Sequence, residues 1–206
     1  MDQKRKLLIG AVALVFLLAG GTVLYSQLAP SVSPDLLHTQ SAGESSAPPE
    51  GQEEVQTVPA PDFTAQNAEG EEVSLSQLVG EKPIVLNFWT SQCGPCRTEM
   101  PDFEAAHQQY GDQVQFVMVN SIGFMGEDEQ SGRDYIAEQG FTFPVYYDTR
   151  QEATYTYGIR AFPTTFFIDT EGNVVAYAES MLTPEVLMTG MEMLVPGLSG
   201  EEPAAE

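Results

Sequence analysis

NFWTSQCGPCRTEM, Asn87 to Met100, holds both cysteines of the chain, Cys93 and Cys96, with two residues between them. Just upstream, PIVLNFW (83–89) is a continuous apolar run, as expected of a strand buried on both faces. Just downstream, residues 94–109 read as a helix, with Pro101 inside it as a kink. A strand that runs into a helix puts the helix N-terminus at the edge of a sheet, and Cys93 falls at that junction. Unsatisfied backbone N–H groups and the helix dipole favour a thiolate there. A thiolate is the attacking species in disulfide exchange. Cys96 is one turn on, close enough to attack a mixed disulfide and release the product. Gly94 and Pro95 shape the turn, since Pro is tolerated in a first helical turn and Gly relieves crowding. Cys93 is therefore the expected nucleophile and Cys96 the resolving thiol.

Two other uses of the pair are weaker. A structural bridge gains most when it closes a long loop, and this one closes two residues. A zinc site needs three or four ligands. No second Cys pair exists, and His38 and His107 do not make a finger-like spacing, so no metal is expected.

Outward from the motif, the pattern alternates in type. FTAQ and EEVSLS flank Ala68-Glu69-Gly70 and predict a hairpin. VQFVMVN (114–120) is a second buried strand. EDEQSGRDYIAEQG (127–140) predicts a helix that starts acidic and stops at Gly140. FPVYYD is a short strand, followed by a helix over about 150–157. TTFFID (164–169), Glu171-Gly172-Asn173 and VVAYA (174–178) form a second hairpin. Pro184 opens a last amphipathic helix to about Val195. Strands alternating with helices, then a hairpin and a helix, indicate an α/β fold with a central mixed β-sheet flanked by helices.

The chain has 206 residues and a formal net charge of −22. Three of its eight basic residues, Lys4, Arg5 and Lys6, precede LLIGAVALVFLLAGGTVLYSQL (7–28), which carries no charge. That length suits a membrane-crossing helix, and positive charge stays on the cytoplasmic side. A cleaved signal peptide is the rival reading. The apolar run is long for one, and no clean A-x-A site follows. No cysteine stands near residues 20–30 to carry a lipid. The organisation expected is a cytoplasmic stub (1–6), an anchor (7–28), a flexible Pro/Ser/Gly/Glu-rich stalk (29–58) containing an inert His38, a folded domain (59–196) and a disordered tail (197–206). The acidity of the outer part argues against nucleic acid as a partner and serves solubility.

LNFWTSQCGPC, GIRAFPTTFFIDTEGNVV and APDFTAQNAEGEEVSLSQLVGEKPIVLNFW together resemble the thioredoxin superfamily, and within it the membrane-anchored TlpA/ResA-type thiol–disulfide oxidoreductases. The resemblance covers about residues 59–195. It implies a thioredoxin-like fold with an N-terminal β-hairpin extension, and a redox-active Cys93–Cys96 disulfide in place of any other cofactor. It places Phe162-Pro163 in a cis-proline loop facing the cysteines, where substrate backbone would add as a strand; a strand-start proline is the plainer reading. Trp89, Gln92, Gly94, Pro95, Phe162 and Thr164 would border the client, although packing alone explains Trp89. Asn87 stands where thioredoxin has its buried aspartate and cannot titrate. Gln92 replaces the tryptophan that precedes thioredoxin's first cysteine, so the client face differs. Glu99, one turn past Cys96, would relay its proton; as plainly, it is a first-turn glutamate favouring the dipole. His107 reads as a core or surface histidine.

The function implied is an extracytoplasmic reductase of disulfides in exported proteins. An apocytochrome c with an oxidised CxxCH is one client in cytochrome c maturation, and a methionine sulfoxide reductase, which would give antioxidant activity, is another. A membrane thiol carrier of CcdA/DsbD type would be the electron donor, and the protein is expected to be a monomer at the bacterial cell membrane. A disulfide-forming oxidase is the first alternative, but strong oxidants usually carry His between the cysteines. A peroxiredoxin-like thiol peroxidase is the second, with Thr90 three residues before Cys93 but the upstream proline missing. A non-catalytic binding module is the third.

Overall fold

The computed structural model describes the backbone of residues 38–39 and all of residues 58–198. The stub, the anchor, most of the stalk and the last eight residues of the tail lie outside the described residues. Among the described residues no helix is long and apolar enough to cross a membrane.

The strands are β1 (His38–Thr39), β2 (Val58–Pro59), β3 (Thr64–Gln66), β4 (Glu72–Ser74), β5 (Ile84–Trp89), β6 (Gln115–Asn120), β7 (Val145–Tyr147), β8 (Thr164–Ile168) and β9 (Asn173–Ala178). The helices are α1 (Leu75–Leu78), α2 (Gly94–Tyr110), α3 (Glu129–Gln139), α4 (Glu152–Thr156) and α5 (Pro184–Leu194). The strands form one mixed sheet in the order β1-β9-β8-β5-β6-β7-β3-β4, with β2 also on β9. β5, β6 and β7 run parallel, and β8 is antiparallel to β5.

β5 sits in the middle of this order, and all six of its residues are buried. Successive side chains of a strand point to opposite faces. Val85 and Trp89 accordingly join the core that contains Cys93, Cys96, Met100 and Phe103 of α2. Ile84, Leu86 and Phe88 join the other core, with Phe63, Leu75, Val117 and Val119. The continuous apolar run 83–89 thus has its physical cause: β5 has a packed layer on each side.

The expected hairpins are present. β3 pairs with β4 through Thr64↔Ser74, Ala65↔Val73 and Gln66↔Glu72, and β8 with β9 around Gly172. The expected helix stop is there as well: Gly140 has φ +71°, a left-handed conformation open to glycine at little cost.

Some boundaries differ. EEVSLS does not stay extended to its end. Leu75–Leu78 turn into a short helix, because the Ser74 N–H is met by the Gln77 side chain at 2.8 Å in a capping box. α3 begins at Glu129 rather than at 127, since Asp128 is its cap and accepts the Ser131 N–H at 2.7 Å. α2 continues through Pro101 to Tyr110. Inside the stretch read as a stalk, His38 and Thr39 pair with Tyr177 and Ala176 of the edge strand β9. At the other end Leu198 is buried in the core, two residues past the expected limit of the domain.

α5 lies against the strand end of the cysteine-side core, burying Leu187, Gly190 and Met191. Gly190 meets the ring of Phe167, which a Cβ would overlap. Gly190→Ala is therefore expected to destabilise the protein by about 1–3 kcal/mol. Urea unfolding measures this as a lower midpoint at unchanged slope.

Candidate active site

β5 ends at Trp89 and α2 begins at Gly94, so Thr90 to Cys93 make the corner. Cys93 is the N-cap of α2, with extended backbone at φ −88° and ψ 112°. Its own N–H donates to Thr90 O at 3.2 Å, which tightens the turn. The Cys96 N–H donates to Cys93 Sγ at 3.1 Å. A sulfur that receives a first-turn amide is stabilised as a thiolate. Pro95, in the first turn, lacks an N–H that would have had no helical acceptor there.

Cys93 and Cys96 are joined as a disulfide with Cα atoms 5.3 Å apart. Cys93 is 1% exposed and Cys96 0%, so exposure alone does not separate their roles. The cap position does, since it gives Cys93 the amide. Gln92, Gly94 and Pro95 are exposed beside the bridge. Pro163 is buried and follows a cis peptide bond from Phe162, as the family resemblance implies. Phe162 is half-buried. Thr164 is buried, and its hydroxyl donates to Ala161 O at 2.9 Å. Trp89 is wholly buried, its ring 6.0 Å from that of Tyr135, so it belongs to the floor under the bridge rather than to the surface a client meets.

Glu99 is one turn past Cys96 on α2 and 1% exposed. Its carboxyl accepts the Leu182 N–H at 2.8 Å and the Asn87 side-chain amide at 3.0 Å. The same Asn87 amide donates to Thr165 Oγ1 at 2.9 Å. Burial outweighs these two bonds and pushes the Glu99 pKa up to about 8, with a smaller push from Asp102. At neutral pH the group is therefore mostly a neutral acid that holds a proton one helical turn from Cys96. Asn87, which cannot titrate, orients it.

A second buried carboxyl escaped the sequence reading. Glu127 is 3% exposed and accepts three bonds: from the Ser91 N–H at 2.9 Å, the Ser91 hydroxyl at 2.6 Å and the Asn120 amide at 2.8 Å. It ties the loop after β6 to the corner that carries Cys93. In the sequence Glu127 looks like the acidic start of a helix. Assigning the cap to Asp128 places Glu127 outside that helix, but no local pattern announces the inward turn onto Ser91. Gly132 of α3 lets that helix approach, since a Cβ there would overlap the Asn120 side chain. His107 is half-buried, with its ring 5.5 Å from that of Phe116. Among the described residues no group of three or more His, Cys, Asp or Glu could hold a metal ion.

A family model described as AhpC/TSA matches residues 57–177, more than half of the sequence. The chain belongs to the AhpC/TSA family. It is 32% identical to the thiol-disulfide oxidoreductase ResA of Bacillus subtilis (strain 168), over 67% of this chain and 75% of that protein. It is also 32% identical to the sporulation thiol-disulfide oxidoreductase A of the same organism, over 67% of this chain and 82% of that protein. The crystal structure of StoA from Bacillus subtilis aligns with a TM-score of 0.57 and 31% identity, covering 66% of this chain and 99% of StoA. That of the pneumococcal exposed lipoprotein thioredoxin from Streptococcus pneumoniae strain TIGR4 aligns at 0.57 and 30%, covering 64% and 99%. The fold is thus thioredoxin-like, and the protein is a thiol–disulfide oxidoreductase whose reactive group is its own Cys93–Cys96 disulfide.

The two carboxyls give two tests. Glu99 binds a proton more tightly when folded, so its contribution is complete below pH 4.5 and is lost as pH rises towards about 8. Stability should fall between those values by up to about 1.4 kcal/mol per pH unit. Glu99→Gln should flatten that slope in urea titrations run from pH 5 to 8. Glu127→Ala strands the Ser91 N–H and the Asn120 amide inside the protein. It should lower stability by about 1–3 kcal/mol, read as a shifted urea midpoint.

Proposed function

We propose that the protein is an extracytoplasmic reductase of disulfides in exported proteins, anchored through residues 7–28 with its N-terminus in the cytoplasm. The observation that carries the reading is a cysteine pair at a helix N-cap with a buried, mostly neutral Glu99 one turn beyond it. The pair between the cysteines, Gly94-Pro95, is without the histidine usual in strong oxidants. Lys4, Arg5 and Lys6 before an uncharged 22-residue stretch support the orientation. One similar structure is that of a lipoprotein described as exposed.

The exchange runs in two steps. The Cys93 thiolate attacks one sulfur of the client disulfide; that S–S bond breaks, and the other client sulfur leaves as a thiolate. Cys96 then gives up its proton and attacks Cys93 Sγ. The mixed disulfide breaks, the second client thiol departs, and Cys93–Cys96 closes. Two electrons have passed to the client. The ionised fraction of Glu99 takes the Cys96 proton, and in the reverse step neutral Glu99 returns it to the leaving Cys96 thiolate. A pKa near 8 suits both directions. A membrane thiol carrier of CcdA/DsbD type supplies the electrons for the next cycle, and an apocytochrome c with an oxidised CxxCH is the client class favoured. The protein acts as a monomer.

The peroxidase reading gains nothing from the corner. The Thr90 hydroxyl donates to Met125 Sδ at 3.9 Å.

The test is the reduction potential of the Cys93–Cys96 couple in the full chain. A value at or below about −250 mV is expected of a reductase, whereas about −120 mV, where strong periplasmic oxidants lie, would reverse the direction of electron flow.

A further inference from the structure

The segment between β6 and α3 is held at several points. The Ser121 N–H donates to Trp89 O at 2.9 Å, the Gly123 N–H to Glu127 O at 2.8 Å and the Glu127 N–H to Phe124 O at 2.8 Å. The Glu127 carboxyl fastens its end to Ser91. Gln151 holds the Ile122 carbonyl at 3.1 Å. Such a loop can present its tip in a set position.

At the tip stands Met125, 60% exposed and with φ +53°. A residue with a side chain is disfavoured in the left-handed region. Neither burial nor a helix cap offsets that cost here. Strain that persists at an exposed apolar residue is an observation from which function is inferred. Its sulfur accepts the Thr90 hydroxyl, three residues before Cys93.

Next to it, the Phe124 ring packs edge-on at 5.8 Å against Phe162, the residue before Pro163, and at 5.6 Å against Tyr155. Tyr155 is 68% exposed. Met125, Phe124, Phe162 and Tyr155 thus form a continuous apolar shelf. It touches both the Thr90 corner before Cys93 and the proline loop. None of the four carries a charge, on a chain with net charge −22.

We propose that this shelf docks an apolar side chain of an extended client segment, next to the cysteine that Cys93 attacks. The proposal rests on the exchange reading above. Three observations commit it to that occupant. The shelf meets Thr90, three residues before Cys93, and Phe162, next to Pro163, so it flanks the two loops a client would lie across to bring its sulfur to Cys93. It is uncharged, so it rewards apolar over acidic or basic neighbours. Its most exposed member is a methionine, whose flexible thioether adapts to side chains of different shape.

The test uses the full chain, reduced, and two synthetic peptides with an internal Cys-x-x-Cys disulfide. One has leucine beside the attacked cysteine, and the other has serine. Trp89, the sole tryptophan of the sequence, lies under the bridge and reports its oxidation by fluorescence. The leucine peptide is expected to react about fivefold faster or more. The double variant Phe124→Ser, Met125→Ser should bring the ratio of the two rates close to one. Dithiodipyridine, a small disulfide without a peptide, is run beside both proteins. A loss of equal factor with this probe and with both peptides would mean damaged thiol chemistry and would overturn the shelf. Equal wild-type rates for the two peptides would overturn the shelf and leave the reductase reading standing. Failure of the wild type to reduce either peptide would overturn both. A wild-type dimer in sedimentation that dissociates in the double variant would assign the shelf to a second copy and overturn the client.

Discussion

The amide of Cys96 points at the sulfur of Cys93, and much of the molecule serves to keep it there. For that amide to be free, Cys93 must cap a helix. For the cap to sit over the sheet, a strand must end four residues earlier and stay rigid. β5 meets that demand because it lies in the middle of the sheet, bonded to β6 on one side and β8 on the other. Its two faces are packed by separate cores. The corner from Thr90 to Cys93 then has little freedom left. The Thr90 carbonyl, the Ser91 amide and the Ser91 hydroxyl are all taken.

Two buried glutamates flank this corner and act differently because their surroundings differ. Each is held by an asparagine amide, Glu99 by Asn87 of β5 and Glu127 by Asn120 of the neighbouring parallel strand β6. Glu99 receives two bonds in a site dry enough to keep it mostly protonated at neutral pH, so it stores a proton next to the thiols. Glu127 receives three bonds, two of them from Ser91, and acts as a clamp. One carboxyl thus governs protons and the other governs position. The clamp also fixes the loop that bears Phe124 and Met125, which links the geometry of the thiols to that of the surface beside them.

Much of the fold was legible because its signals are local. The run 83–89 announces a strand packed on both faces, Gly140 a helix stop and Glu171-Gly172-Asn173 a hairpin. The redox pair was legible for the same reason, since the cap, the turn and the second thiol lie within one helical turn of each other. Glu99 was found by its spacing from Cys96, but its raised pKa was not, because desolvation comes from burial in the folded core and outweighs even the bond from the Leu182 N–H, 83 residues away. Leu75 and Ser76 were misread as strand. There the reciprocal capping of Ser74 and Gln77 overrode the alternation of EEVSLS. Glu127 was misjudged because its partners, Ser91 and Asn120, come from other segments.

By itself the sequence determined the chemistry: two thiols one turn apart at the start of a helix, with a carboxyl one turn further on. These depend on helical spacing, which the chain carries wherever it goes. The tertiary structure decided the environment. It brought Leu182 and Asn87 to Glu99, turned Glu127 onto Ser91, directed the Thr90 hydroxyl to Met125, and set Phe124 beside Phe162. The reason is that burial, hydrogen-bond completion and ring packing are properties of neighbours in space. In this fold those neighbours come from segments far apart along the chain.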